Sequence, residues 1–120
     1  LFESGLEGGR HAGLGILPGE VTRFAVPAGL KVPHMGWNRV HWRAAAGAAA
    51  AIDAGLEAEH FYFVHSYVAR PADDSVVAAT ADYGGPFCAA VSRGRLFAVQ
   101  FHPEKSQAAG MLLLRTVLAV

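Results

Sequence analysis

Leu96–Ser106 reads LFAVQFHPEKS. The run predicts a short buried strand, Leu96–Phe101, that stops at His102-Pro103-Glu104. A histidine and a glutamate two residues apart, on a proline-fixed turn just past such a strand, suit proton-transfer chemistry. In an α/β fold, strand ends face the crevice where sites form. A carboxylate on one imidazole nitrogen fixes the tautomer and leaves the other nitrogen as a base. The structural alternative is a histidine that caps a turn beside a solvated glutamate. No nucleophile accompanies the pair.

Phe61–Val64 (FYFV) predicts a buried strand, with His65-Ser66-Tyr67 at its end. Ser66 lacks the G-x-S-x-G setting of a nucleophile elbow, so hydrogen bonding or substrate contact suits it better. Glu20–Val26, Trp37–Trp42, Val76–Asp82 and Phe87–Ser92 also predict strands. Ser106–Ala119 predicts a helix with Ser106 as its N-cap and Met111, Leu112, Leu114 and Leu118, with Val117, on its apolar side. Ala44–Ala51 has helix propensity but little to bury, and Asp53–His60 reads as loop. Pro33–Gly36, Ala69–Asp74 and the Gly-rich Gly5–Gly15 read as loops and turns. Leu1–Ser4 reads as the tail of a helix stopped by Gly5. The apolar runs FYFV and LFAVQF fit a sheet covered on both faces.

The bulk numbers narrow the class. A chain of 120 residues, 52% hydrophobic, is enough for one small domain with its own core. Lysine plus arginine equals aspartate plus glutamate, and there is no basic run, so nothing favours a nucleic-acid partner. No stretch has the roughly 18 uninterrupted apolar residues of a membrane span. Cys88 is the single cysteine, which excludes an internal disulfide and fits a reducing, cytoplasmic setting. Lying in the apolar Phe87–Val91, it reads as a buried thiol rather than a nucleophile. The six histidines lack metal-ligand spacing. His11, His41 and His60 read as surface or turn residues. Pro33–Asn38 (PHMGWN) puts Met35, Trp37 and Asn38 where an adaptable contact surface is possible, the alternative being a core Trp37 in a turn.

These stretches together resemble a known family. VQFHPEKS (Val99–Ser106) is similar to the His/Glu motif of class I, triad-type glutamine amidotransferases. KVPHMGWN (Lys31–Asn38), YFVHSY (Tyr62–Tyr67), GLGILPGEVTRF (Gly13–Phe24) and DYGGPFCAAV (Asp82–Val91) narrow the resemblance to the glutaminase subunits of imidazole glycerol phosphate synthase. The resemblance implies an α/β fold, a three-layer sandwich with a central mixed sheet, of which residues 1–120 are the C-terminal, strand-rich part of a single domain. It implies a Cys-His-Glu triad that hydrolyses L-glutamine through a thioester, without a cofactor or metal. Ammonia then passes to a cyclase subunit, a (β/α)8 barrel, in a heterodimer that serves histidine biosynthesis.

Carried over by position, the resemblance makes His102 the triad base and Glu104 its orienting carboxylate. It assigns His65, Ser66 and Tyr67 to glutamine binding, and Met35, Trp37, Asn38 and Lys105 to the cyclase-facing surface. The family's G-x-C-x-G elbow precedes a helix ending in L-F-E-S, so the nucleophile is expected upstream of Leu1. Ala98 stands where many relatives carry glycine, and Ala44–Ala51 departs from the usual loop. Two other readings stay open: a non-catalytic module that only docks the cyclase, and a component of another class I amidotransferase.

Overall fold

Alternation along one strand sets the core. In β6 (His60–His65), Phe61, Phe63 and His65 are buried, while Tyr62 and Val64 are half-covered. One face is therefore fully covered and the other only in part. The computed structural model describes residues 1–43, 56 and 59–119. Within them, β6 pairs antiparallel with β4 (His34–Arg39), so that His34 faces His65 and Trp37 faces Tyr62.

Two four-stranded sheets complete the architecture. The first comprises β1 (Phe2–Gly5), β2 (His11–Ala12), β3 (Leu17–Arg23) and β7 (Tyr67–Pro71), in the order β2-β1-β3-β7. It is mixed, because β1 and β3 run parallel and the other pairs antiparallel. The second comprises β5 (His41–Trp42), β8 (Val77–Asp82), β9 (Pro86–Arg93) and β10 (Leu96–Val99), in the order β10-β9-β8-β5, antiparallel throughout. The helix α1 (Gln107–Leu118) follows a single 3-10 turn at Pro103–Lys105. Among the described residues this strand-rich content, with a mixed sheet and one α-helix, agrees with the class I fold that the resemblance implies.

The main core is aromatic. Phe24, Phe61, Phe63, Phe87 and Phe101 are buried with Val40, Leu56 and Leu113. Phe61 and Phe101 lie 4.3 Å apart between ring centroids, which ties β6 to the end of the LFAVQF segment. Such rings contribute both apolar area and preferred edge or offset contacts. A second cluster joins Phe2, Leu17, Val76 and Val91.

Several expectations change. The strand expected as buried over Leu96–Phe101 ends at Val99 and is half-buried along its length, and the buried ring is that of Phe101 just past it. Leu1–Ser4 is not the tail of a helix: Phe2–Gly5 is a strand, with Phe2 buried against the second cluster. The segment's backbone pairs with its neighbours instead, Glu3 O accepting a bond from Gly13 N at 2.8 Å. His34–Gly36 is the first half of β4 rather than a loop. Its partner strand supplies the pairing, and Gly36, at φ 127°, still sits opposite Phe63. Ala69–Pro71 belongs to β7 rather than to a turn, with Pro71 at the end of an edge strand, where a missing N–H is tolerated. Opposite it, Gly19 has φ 129°, and a Cβ there would collide with Arg70 O. The proposed Ala44–Ala51 helix lies outside the described residues, as does most of the Asp53–His60 loop. Of that loop, Leu56 is buried and His60 opens β6.

Candidate active site

The His-Pro-Glu turn is pinned to the middle of β6. His102 N donates to Tyr62 O at 2.9 Å, extending the sheet edge by one bond. Ser106 Oγ accepts from Tyr62 N at 3.0 Å and donates to His102 O at 2.6 Å. Both backbone groups of Tyr62 thus hold the turn. Ser106 is 1% exposed, and its hydroxyl makes these two bonds instead of capping α1. The expected side-chain cap is therefore not formed. Gly110 brings α1 close over the turn, since a Cβ there would overlap Pro103 O. Gln107, the first residue of α1, has φ 53°, a left-handed backbone that strains a residue with a Cβ.

Within this frame, His102 Nδ1 lies 2.7 Å from Glu104 Oε1. The carboxylate only accepts, so Nδ1 carries the proton and Nε2 of the neutral ring presents a lone pair. The Glu104 carboxyl is held below its usual range, first by its own backbone N–H and then by the His102 ring. It stays ionised at neutral pH, and the pair is oriented for general-base work. Both side chains are partly open to solvent.

A second polar group lies under the β4–β6 pair. His65 Nδ1 is 3.0 Å from Tyr67 O, and its Nε2 is 2.9 Å from His34 Nδ1. Both imidazoles are buried and titrate below their ordinary value. Burial lowers His34 to about 4, helped by the neighbouring His65. Burial also lowers His65, against the opposing bond to the Tyr67 carbonyl. Both are neutral at pH 7. The His65 side chain is therefore committed inside the protein, and Ser66 O accepts from Phe24 N at 2.8 Å.

The remaining predicted residues divide by face. Met35 and Trp37 are exposed on the outer face of β4, where Trp37 meets the Tyr62 ring at 6.0 Å between centroids. Asn38 points to the other face and donates to Asp82 O at 2.9 Å. Lys105 is exposed on the His-Pro-Glu turn. The Cys88 thiol, pushed up to about 11 mainly by burial, bonds Ala90 O at 3.5 Å and stays protonated. Among the described residues, no group of acidic, histidine or cysteine side chains is arranged for a metal ion. None of their helices is long and apolar enough to cross a membrane.

Sequence reading missed Ser106 as a brace, Tyr62 as the anchor, Gly110 as a contact and His34 as a partner of His65. Ser106 and Gly110 carried a signal: a small residue after the motif, and a glycine inside an apolar helix.

The family model for glutamine amidotransferase class-I matches residues 13–118. The chain belongs to the class I glutamine amidotransferases. Its curated relatives within that family are narrower in kind. Imidazole glycerol phosphate synthase subunit HisH of Rhodopirellula baltica is 62% identical over 115 residues, covering 96% of this chain and 54% of its own length. The subunit of the same name from Methylococcus capsulatus is 54% identical, covering 98% and 56%. That of Syntrophotalea carbinolica is 51% identical, covering 96% and 57%. This class I chain spans about half the length of the curated relatives it matches.

Proposed function

We propose that the chain is the base-bearing part of the glutaminase subunit of imidazole glycerol phosphate synthase, acting in the cytoplasm in histidine biosynthesis. The observation that carries this is the His102–Glu104 contact of 2.7 Å, on a turn braced from both sides by Tyr62 and Ser106. The similarity to synthase subunits along 96% of the chain supports the same reading.

In this mechanism His102 Nε2 takes the proton of a cysteine thiol supplied by sequence outside these residues. The thiolate attacks the glutamine side-chain carbonyl, and the imidazolium returns the proton to the departing ammonia. Glu104 holds the ring in the tautomer this needs and stabilises the imidazolium. Water then hydrolyses the thioester, with the same ring as base. Cys88, half-buried rather than fully buried, is unsuited to the nucleophile's role because desolvation holds it as the thiol. Ser66 and Tyr67, with His65 behind them, receive the amino-acid end of glutamine. Met35, Trp37 and Lys105 face a (β/α)8-barrel cyclase that takes up the ammonia, with Asn38 supporting that strand from within.

Reconstitution tests the reading. A subunit of the relatives' length that carries this chain should bind the barrel cyclase and support glutamine-dependent turnover. Exposed Met35 and Trp37, at 62% and 49%, also suit a module that docks without catalysis. Binding with no glutamine hydrolysis would select that second reading and reject the first.

A further inference from the structure

Three polar side chains on the inner face of β4 and β6 form one directed line, between a carbonyl of β8 and one of β7, that the proposed triad does not use. Asn38 Nδ2 donates to Asp82 O at 2.9 Å, which fixes the orientation of the side-chain amide. The same nitrogen lies 3.3 Å from His34 Nε2, so that ring atom must accept. The neutral His34 ring therefore carries its proton on Nδ1, facing His65 Nε2 at 2.9 Å. From the other end, Tyr67 O can only accept, so His65 carries its proton on Nδ1 and leaves Nε2 as an acceptor. The two ends impose the same assignment independently. A second proton on either ring would set N–H against N–H.

Packing holds the line in place, with the His34 and His65 ring planes at 73° to each other. His34 stacks between Phe63, at 5.2 Å and 26°, and Tyr83, at 4.0 Å and 24°. Tyr83 is itself fixed by its hydroxyl, which donates to Lys31 O at 2.6 Å. Phe24 and Phe87 close the remaining sides of the His65 ring. Two neutral imidazoles in so apolar a setting need every lone pair and N–H matched, and this line matches them.

We propose that His34 is a positioning residue: its Nδ1–H holds His65 in the Nδ1–H tautomer, and His65 in turn fixes the Tyr67 carbonyl where β7 begins. This rests on the reading of Ser66 and Tyr67 as the segment that receives glutamine. A rotated or flipped His65 ring frees that carbonyl and loosens the segment. Glutamine binding then suffers more than the chemical step, because His102 and Glu104 are braced separately by Tyr62 and Ser106.

The test uses a subunit of the relatives' length that carries this chain, in complex with its cyclase. Histidine side-chain 15N spectra should show both His34 and His65 as Nδ1–H tautomers. His34→Phe keeps a ring but removes the donor; it should raise KM for glutamine about five- to tenfold with kcat nearly unchanged. His34→Asn restores an N–H at the Nδ1 position and should recover most of that loss. An Nε2–H tautomer at either ring overturns the proposal. So does a folded His34→Phe variant with normal KM, or one that loses kcat alone. If His34→Phe does not fold, the tautomers and the His34→Asn kinetics decide. An unsubstituted subunit that cannot hydrolyse glutamine would overturn the functional reading itself, whereas an active one indifferent to His34 overturns only the positioning role.

Discussion

At the scale of single residues, the account rests on paired groups whose protonation is set by neighbours. Glu104→Gln keeps the shape but removes the carboxylate that orients His102 Nδ1–H. Glutamine turnover should fall about 10²-fold or more, measured as ammonia released by the complete subunit with its cyclase. The buried pair makes a different prediction. His34 titrates near 4 when folded against an ordinary 6.5, and His65 is also lowered. The unfolded chain therefore binds more protons between those values. Stability should be full above pH 6.5 and decline as pH falls toward 4, by denaturant titration at stepped pH. His34→Phe should flatten that decline. His102 and Glu104 were readable because their partnership is local, two residues across a proline. His34 and His65 were not, since they meet only through strand pairing 31 residues apart.

Among elements, the decisive junction is the one joining β6, the His-Pro-Glu turn and α1. Ser106→Ala removes the acceptor for the half-buried Tyr62 N and the donor to His102 O; it should destabilise the protein by about 1–3 kcal/mol and lower activity with it. Gly110→Ala places a methyl group against Pro103 O and should cost about 1–3 kcal/mol as α1 lifts from the turn. Thermal or chemical unfolding reads both effects. A Gly110→Ala variant as stable as the parent would mean that the close approach carries no weight. The helix and most strands followed from apolar, β-branched or aromatic content, but the buried face of α1 did not: Ala109, Gly110 and Leu113 are buried, whereas the expected Met111, Leu112 and Leu118 are exposed. The start of β4 did not, because Pro33 and Gly36 carry loop signals while the pairing comes from β6. Ser106 was read from its place before a helix, yet its role depends on Tyr62, a residue 44 positions away.

For the molecule as a whole, the two larger sheets leave an apolar cavity of about 220 Å³, open to solvent and lined by Phe2, Val21, Ala69, Val91, Ala98 and Val99 among others. Leu14, Met111 and Leu118 add exposed apolar surface. Open apolar faces and unpaired strand edges favour association. Residues 1–120 in isolation should therefore self-associate on sizing columns; a monomeric, cooperative unfolding transition would refute this. The sequence carried the family through five separated motifs, but not the order of strands in each sheet, which depends on contacts between distant segments. His102 is proposed above as the base for glutamine hydrolysis, with no part in the use of ammonia. Its most direct test is His102→Ala in the complete subunit–cyclase complex, assayed with glutamine and, separately, with ammonia. Glutamine-dependent turnover should fall by about 10³-fold or more while ammonia-dependent turnover persists; loss of both, or retention of both, would contradict the account.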